Sequence, residues 1–289
     1  MSEPRLEVKK TSKLFIGGAF PRSESGRSYV VSSATGEFLA NAAWASRKDV
    51  RDAVVAARGA QPRWAAATAY NRGQVLYRVA ELLEARRGQF IEDVRAAEGV
   101  TQRAAAAQVD ASIDRWVWYA GWSDKLAQVA GSSNPVAGPY FNFSVPEPTG
   151  VIGIVAPTDS SLLGLVSVVA PALTSGNTVV VLADERRPIP AVSLTEVLAT
   201  SDVPAGVVNL LTGPADELVP VLASHRDVDG LDLAGAEPAL ASAAEASGAT
   251  NIKRISRGVA PGHDWRRDPG TARLLRFVET KTVWHPIGA

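Results

Sequence analysis

Asp159, Ser160 and Ser161 stand together between two apolar runs, where an acid and two hydroxyls could serve as base and nucleophile. The serines lack the G-x-S-x-G context that exposes a hydrolase nucleophile. Asp159 could act as a base, but an Asp directly before an apolar helix more simply caps it. Gly213 and Gly235 each close an apolar run. Either could let a pyrophosphate approach the backbone at a helix N-terminus, and either serves equally well as a tight β–α turn. His225 sits in a helix-end ASH segment, which suits a structural role; His263 and His285 are isolated, with no second ligand at metal spacing. Trp116, Trp118, Tyr119 and Trp122 cluster on one helical stretch, which suits core and interface packing better than a ligand cage. The 289 residues contain no cysteine. That excludes the thiolate, the most nucleophilic side chain available near neutral pH, along with disulfides and Cys-ligated metals.

The elements that must position these residues change character along the chain. KLFIGGAF (residues 13–20) reads as a short strand into a Gly-Gly turn, and residues 28–45 as strands broken at Ala34-Thr35-Gly36. Ser46-Arg47-Lys48-Asp49 is a capping-box-like helix start. The helix it opens runs towards Trp64. A second helix carries Val75, Leu76, Val79, Leu82, Leu83, Phe90, Ile91 and Val94 on one face, with Gly99 just past its end. A third spans residues 102–129, with Val109, Ile113, Trp116, Val117 and Ala120 on one stripe. These three helices are expected to form one packed layer. Residues 132–139 are a turn-rich break. Pro146 and Pro148 mark the extended stretch that follows as an edge or projecting hairpin.

From Gly150 the pattern is strict β–α alternation. VIGIVAP, NTVVVLADE, VVNLLTG, VDGLDLAG and NIKRISRG are five short strands separated by amphipathic helices. Such βαβ units imply right-handed crossovers and a buried parallel sheet. The expected fold class is therefore α/β: a Rossmann-like doubly wound sheet over residues 150–258, after an N-terminal helical segment with a hairpin over residues 1–149. Residues 259–289 read as a polar, turn-rich linker and one β-run at 277–284. That run must join a sheet in this chain or in another.

Lys plus Arg equals Asp plus Glu at 30 each, so charge gives no reason to propose nucleic acid or an anionic membrane as partner. The charged N-terminus is no secretory signal, and no run approaches the roughly 18 apolar residues of a membrane span. A soluble cytoplasmic protein is expected.

Several stretches resemble the aldehyde dehydrogenase superfamily, in the family's order: SIDRWVWYAGW, PEPTGVIGIVAP, APALTSGNTVVV, VPAGVVNLLTG, ASHRDVDGLDLAG and RFVETKTVWHPIG. The resemblance implies an NAD or NADP cofactor held about Pro157, Glu185, Gly213 and Gly235. Glu185 would meet the adenosine ribose. It also implies that residues 277–284 are an oligomerisation strand.

The departures from the family pattern concern its chemistry. Asp159 stands where the family's Asn donates to the oxyanion, and a carboxylate opposes such a charge. Leu182 replaces the Lys that reaches the ribose, Ala236 the Ser that caps the pyrophosphate, and Gly258 the general-base Glu. After Gly258 the family has a catalytic domain of roughly 150–200 residues, an ordinary domain size, which carries the nucleophilic Cys; here a short linker leads to the last strand. No catalytic residue is assigned. The expected function is a non-catalytic subunit or scaffold, in a homo- or hetero-oligomer with a full-length aldehyde dehydrogenase. The alternatives are an NAD(P)-dependent aldehyde oxidoreductase subunit with chemistry supplied in trans, and an NAD(H)-binding module. The resemblance names no aldehyde.

Overall fold

The computed structural model describes residues 10–260 and 262–288. β1 (Thr11–Ser12), β2 (Ser28–Ser32) and β3 (Phe38–Ala43) form a small sheet in the order β1-β3-β2. α1 (Arg47–Ala66) opens with a complete capping box. The Ser46 hydroxyl accepts from the N–H groups of Lys48 and Asp49, and the Asp49 carboxylate accepts from Ser46 N at 2.7 Å. Ser23 also donates to Asp49, which ties the cap to the preceding loop. Ser46→Ala is expected to cost about 1 kcal/mol, read as a lower Tm in thermal unfolding. An unchanged Tm would mean that Asp49 holds this end by itself.

The helical segment differs from expectation in three respects. The helix over residues 75–94 is two helices, α2 (Ala69–Ala85) and α3 (Arg87–Glu98), parted at Arg86. Their buried faces are both apolar, so the pattern runs through the break without marking it. The third helix is likewise α4 (Gln102–Trp122) followed by α5 (Leu126–Ala130). On α4, Val109, Ile113, Trp116 and Ala120 are buried but Val117 is 41% exposed. At about 100° per residue it turns off that stripe. The third difference is that α1 does not join the layer, because it packs on the parallel sheet.

β4 (Ser132–Asn134) and β5 (Tyr140–Pro148) lead into the five-stranded sheet: β6 (Val151–Val155), β7 (Thr178–Leu182), β8 (Val208–Leu211), β9 (Gly230–Asp232) and β10 (Arg254–Ser256). Its order is β10-β9-β6-β7-β8, and every pair is parallel. Strand residues alternate between two cores. Ile152, Ile154, Val179, Val181, Val208 and Leu210 meet α6 (Leu163–Thr174) and α7 (Ile189–Leu198). Val151, Val155, Val180, Leu182 and Leu231 meet α1, α8 (Ala215–Ser224) and α9 (Pro238–Gly248). The helices α2, α3 and α4 lie outside α6 and α7 as a further layer.

This winding leaves the β9–β10 half of the first face without a helix. Residues 262–277 cover it. Trp265, Leu274 and Phe277 are buried in the same core as Ile152 and Ile154. The stretch expected to be a polar linker is thus a covering segment. Its apolar residues stand too far apart to show either helical or strand periodicity.

The last strand, β11 (Val278–Pro286), pairs antiparallel with β5 from Val278↔Pro148 to Pro286↔Tyr140. Its partner therefore lies in the same chain. β4 pairs with β5 only at Asn142, Phe143 and Ser144. Pro146 and Pro148 lie beyond that overlap, where a missing N–H leaves no ladder bond unmade. Among the described residues, no helix is long and apolar enough to cross a membrane.

Candidate functional site

In a doubly wound sheet the ligand crevice lies outside the carboxyl ends of the strands, where the strand order reverses. Here that point falls between β6 and β9, which are neighbours although α6, β7, α7, β8 and α8 separate them in the chain. The loops after β6, β7, β8 and β9 bring Pro157, Glu185, Gly213 and Gly235 to this end of the sheet.

Pro157 is buried against Gly164 of α6, where an added Cβ would stand 3.1 Å from the proline ring. Gly213 has φ +136°, a conformation that side chains rarely adopt, and packs beside Trp44 and Ala45. Gly235 is required by a close approach: a Cβ there would lie 1.8 Å from the Ala156 carbonyl oxygen. Its N–H donates to Val155 O at 3.0 Å, so the loop after β9 meets the end of β6 backbone to backbone.

Glu185 is half-buried in a cleft of about 450 Å³, shared with Tyr29, Ser32, Ser33, Arg186 and Arg187. Burial raises its carboxyl pKa, and the nearby Asp216, Asp184 and Glu217 add to the effect. Burial likewise raises the Asp184 carboxyl pKa, and its Oδ2 has no hydrogen-bond partner among the described residues. Leu182 is buried in the core on the α8 side of the sheet. Arg187 reaches across from the β7 loop and donates to Thr158 O at 3.3 Å.

Asp159 does not cap α6. Ser160 does part of that work, accepting from Gly164 N at 3.0 Å. Asp159 instead accepts from Trp265 Nε1 at 2.9 Å. Ser161 donates to Glu98, which also accepts from Gln108, so both serines are held in a structural network with α3 and α4. The three histidines stay apart. His225 Nδ1 accepts from Asp227 N in a turn, His263 stacks edge-on against Trp265 at 4.5 Å, and His285 lies on β11. Among the described residues, no group of three or more His, Cys, Asp or Glu could hold a metal. Trp116 and Tyr119 are core residues, with Trp118 and Trp122 packed against that core.

One cluster escaped the sequence reading. Asp232, 2% exposed, ends β9 with its carboxylate 3.3 Å from the guanidinium of Arg273, and Arg276 donates to Ser256 on β10. Burial raises the Asp232 carboxyl pKa, against the pull of Arg273 and Arg276. Burial lowers that of Arg273. The available signal was an acid inside the apolar strand GLDL, since a buried charge demands a partner.

The family model for the aldehyde dehydrogenase family matches residues 20–258. Retinal dehydrogenase 2 of Homo sapiens is 35% identical over 259 residues, covering 88% of this chain and 49% of that protein. The crystal structure of HpcC from Thermus thermophilus superposes with a TM-score of 0.81 at 32% identity, covering 86% of this chain and 48% of that one. The NAD+ complex of aldehyde dehydrogenase from Bacillus cereus gives 0.80 at 26% identity, covering 85% and 50%. The chain spans about half the length of the curated relatives it matches. With its doubly wound sheet and the motifs at the strand ends, the chain belongs to the aldehyde dehydrogenase family.

Proposed function

We propose that this chain is a non-catalytic member of its family, a subunit or scaffold that pairs with a full-length aldehyde dehydrogenase. The observation that carries this reading is the absence of any cysteine within the 289 residues. A family whose chemistry runs through a thiolate has no substitute for it here. Two neighbouring features support the same reading. Asp159, at the oxyanion-donor position, is an acceptor engaged by Trp265. Gly258, at the base position, offers only backbone against Leu233 O.

The support for a partner lies in the β11-β5-β4 sheet. β11 is one of its two outer strands, and an edge of unpaired backbone is a template for another chain. Tyr140, Phe141, Trp284 and Ile287 are exposed on this sheet, with the Tyr140 and Trp284 rings 5.7 Å apart. The face of the parallel sheet supplies no such motive, because residues 262–277 already cover it.

NAD or NADP comes to this chain from its family. Glu185, in its cleft with Tyr29, is the observation in favour of residual NAD(H) binding. Leu182 and Ala236 remove two of the polar contacts that the resemblance assigns to the cofactor.

The native mass of the tagged chain, purified from its own host, tests the proposal. The expected result is a complex with a larger aldehyde dehydrogenase subunit, weakened at least tenfold in recovered partner by Trp284→Lys. A lone monomer or homodimer would sink the pairing. Aldehyde turnover that appears only in the mixture would favour an enzyme subunit completed in trans.

A further inference from the structure

We infer that residues 262–276 are a built-in lid over the reaction end of the cofactor crevice, and that a dinucleotide enters only once this lid is displaced. This goes beyond the non-catalytic reading, which concerns chemistry rather than access. It holds whether or not a partner binds.

The lid places one flat ring at the switch point. The Trp265 indole is 6% exposed, and its N–H donates to Asp159 in the loop after β6. Ligands of doubly wound sheets meet the protein at this loop. The indole is thus held against the loop at which such a ligand would arrive.

The lid is anchored to three elements, each time through an arginine. Arg115 of α4 is buried, and it donates to the carbonyls of Trp265 and Arg267 at 2.7 and 3.0 Å. Arg273 pairs with Asp232 of β9, and its guanidinium lies 5.2 Å from the centre of the Trp265 ring. Arg276 donates to Ser256 of β10. A simple connector between two strands has no need of such bonds, and burying guanidinium groups is costly unless each is well partnered. These arginines are partnered by the lid or act from within it.

The adjoining gaps are closed independently. Gly235 N–H to Val155 O joins the loop after β9 to the end of β6. Arg187 to Thr158 O bridges the loops after β7 and β6.

Titration of the full chain with NADH alone, followed by NADH fluorescence, tests this. Trp265→Ala is expected to bind NADH at least tenfold more tightly than the parent chain. Equal affinities, or no binding to either protein, would overturn the lid and leave the non-catalytic reading untouched. If Trp265→Ala loses cooperative unfolding, Trp265→Phe keeps a ring but removes the bond to Asp159. Hydrogen exchange of residues 262–276 should then rise at least tenfold while that of β6 and β7 stays unchanged. Unchanged exchange in the lid would overturn the inference.

Discussion

Replacing Arg273 by Met is expected to destabilise the chain by about 3–5 kcal/mol, the usual cost of stranding one member of a buried ion pair. The side chains of Arg273 and Asp232 are 11% and 3% exposed, so water can do little to screen an Asp232 carboxylate left with only the more distant Arg276. The double variant Arg273→Met/Asp232→Leu should recover most of the loss, because two apolar groups leave no charge unpaired. Urea unfolding midpoints of the two single variants and the double variant measure this directly. A double variant as unstable as Arg273→Met would mean that packing, and not charge, dominates at this site.

The pH dependence of the same variant has a definite sign. Burial already raises the Asp232 carboxyl pKa, and the two arginines hold it down in opposition. Without Arg273 it rises further. A carboxyl whose folded pKa exceeds its unfolded value takes up its proton more readily in the folded state. The stability deficit of Arg273→Met is therefore largest above that raised pKa and shrinks as pH falls through it. A deficit that grew on acidification would contradict the assignment.

The isolated chain is expected to give no aldehyde-dependent NADH formation above background. Removing the nucleophile from a cooperating catalytic unit costs roughly 10⁶-fold, and other members of the unit do not make it good. Asp159→Asn would restore an amide donor at the oxyanion position, yet the rate should stay at background, because stabilising an oxyanion needs an attack that forms one. NADH absorbance with a panel of aldehydes reads the result. Turnover by the purified chain, in proportion to its concentration, would end the non-catalytic reading.

Much of the fold was legible because its signals are local. Short, largely apolar runs, each with Pro or Asp two residues past its end, identify β6 and β7 without reference to anything distant. Ser46 and Asp49 announce the start of α1 from three residues apart. The break at Arg86 was not legible, since α2 and α3 each bury an apolar face and no Pro or Gly stands at Arg86 to mark the break. Val117 was misread because it adjoins a true stripe. Motif order pointed to Pro157, Glu185, Gly213 and Gly235, which the structure brings to the carboxyl end of the parallel sheet. Motif order carries no distances, so it could not tell that Gly235 is needed by the Ala156 carbonyl.

By itself, then, the sequence determined the βαβ series, the family and the lack of a thiolate, all of which rest on residue type and near-neighbour spacing. Tertiary structure alone decided which face α1 covers, that β11 pairs with β5, and that a supposed linker covers part of one face of the parallel sheet. The physical reason is separation along the chain. Trp265 meets Asp159 across 106 residues and Arg115 across 150. Arg273 meets Asp232 across 41. No periodicity spans such intervals. A buried carboxylate declares that it needs a partner, but only the packed chain shows which of the many arginines answers it.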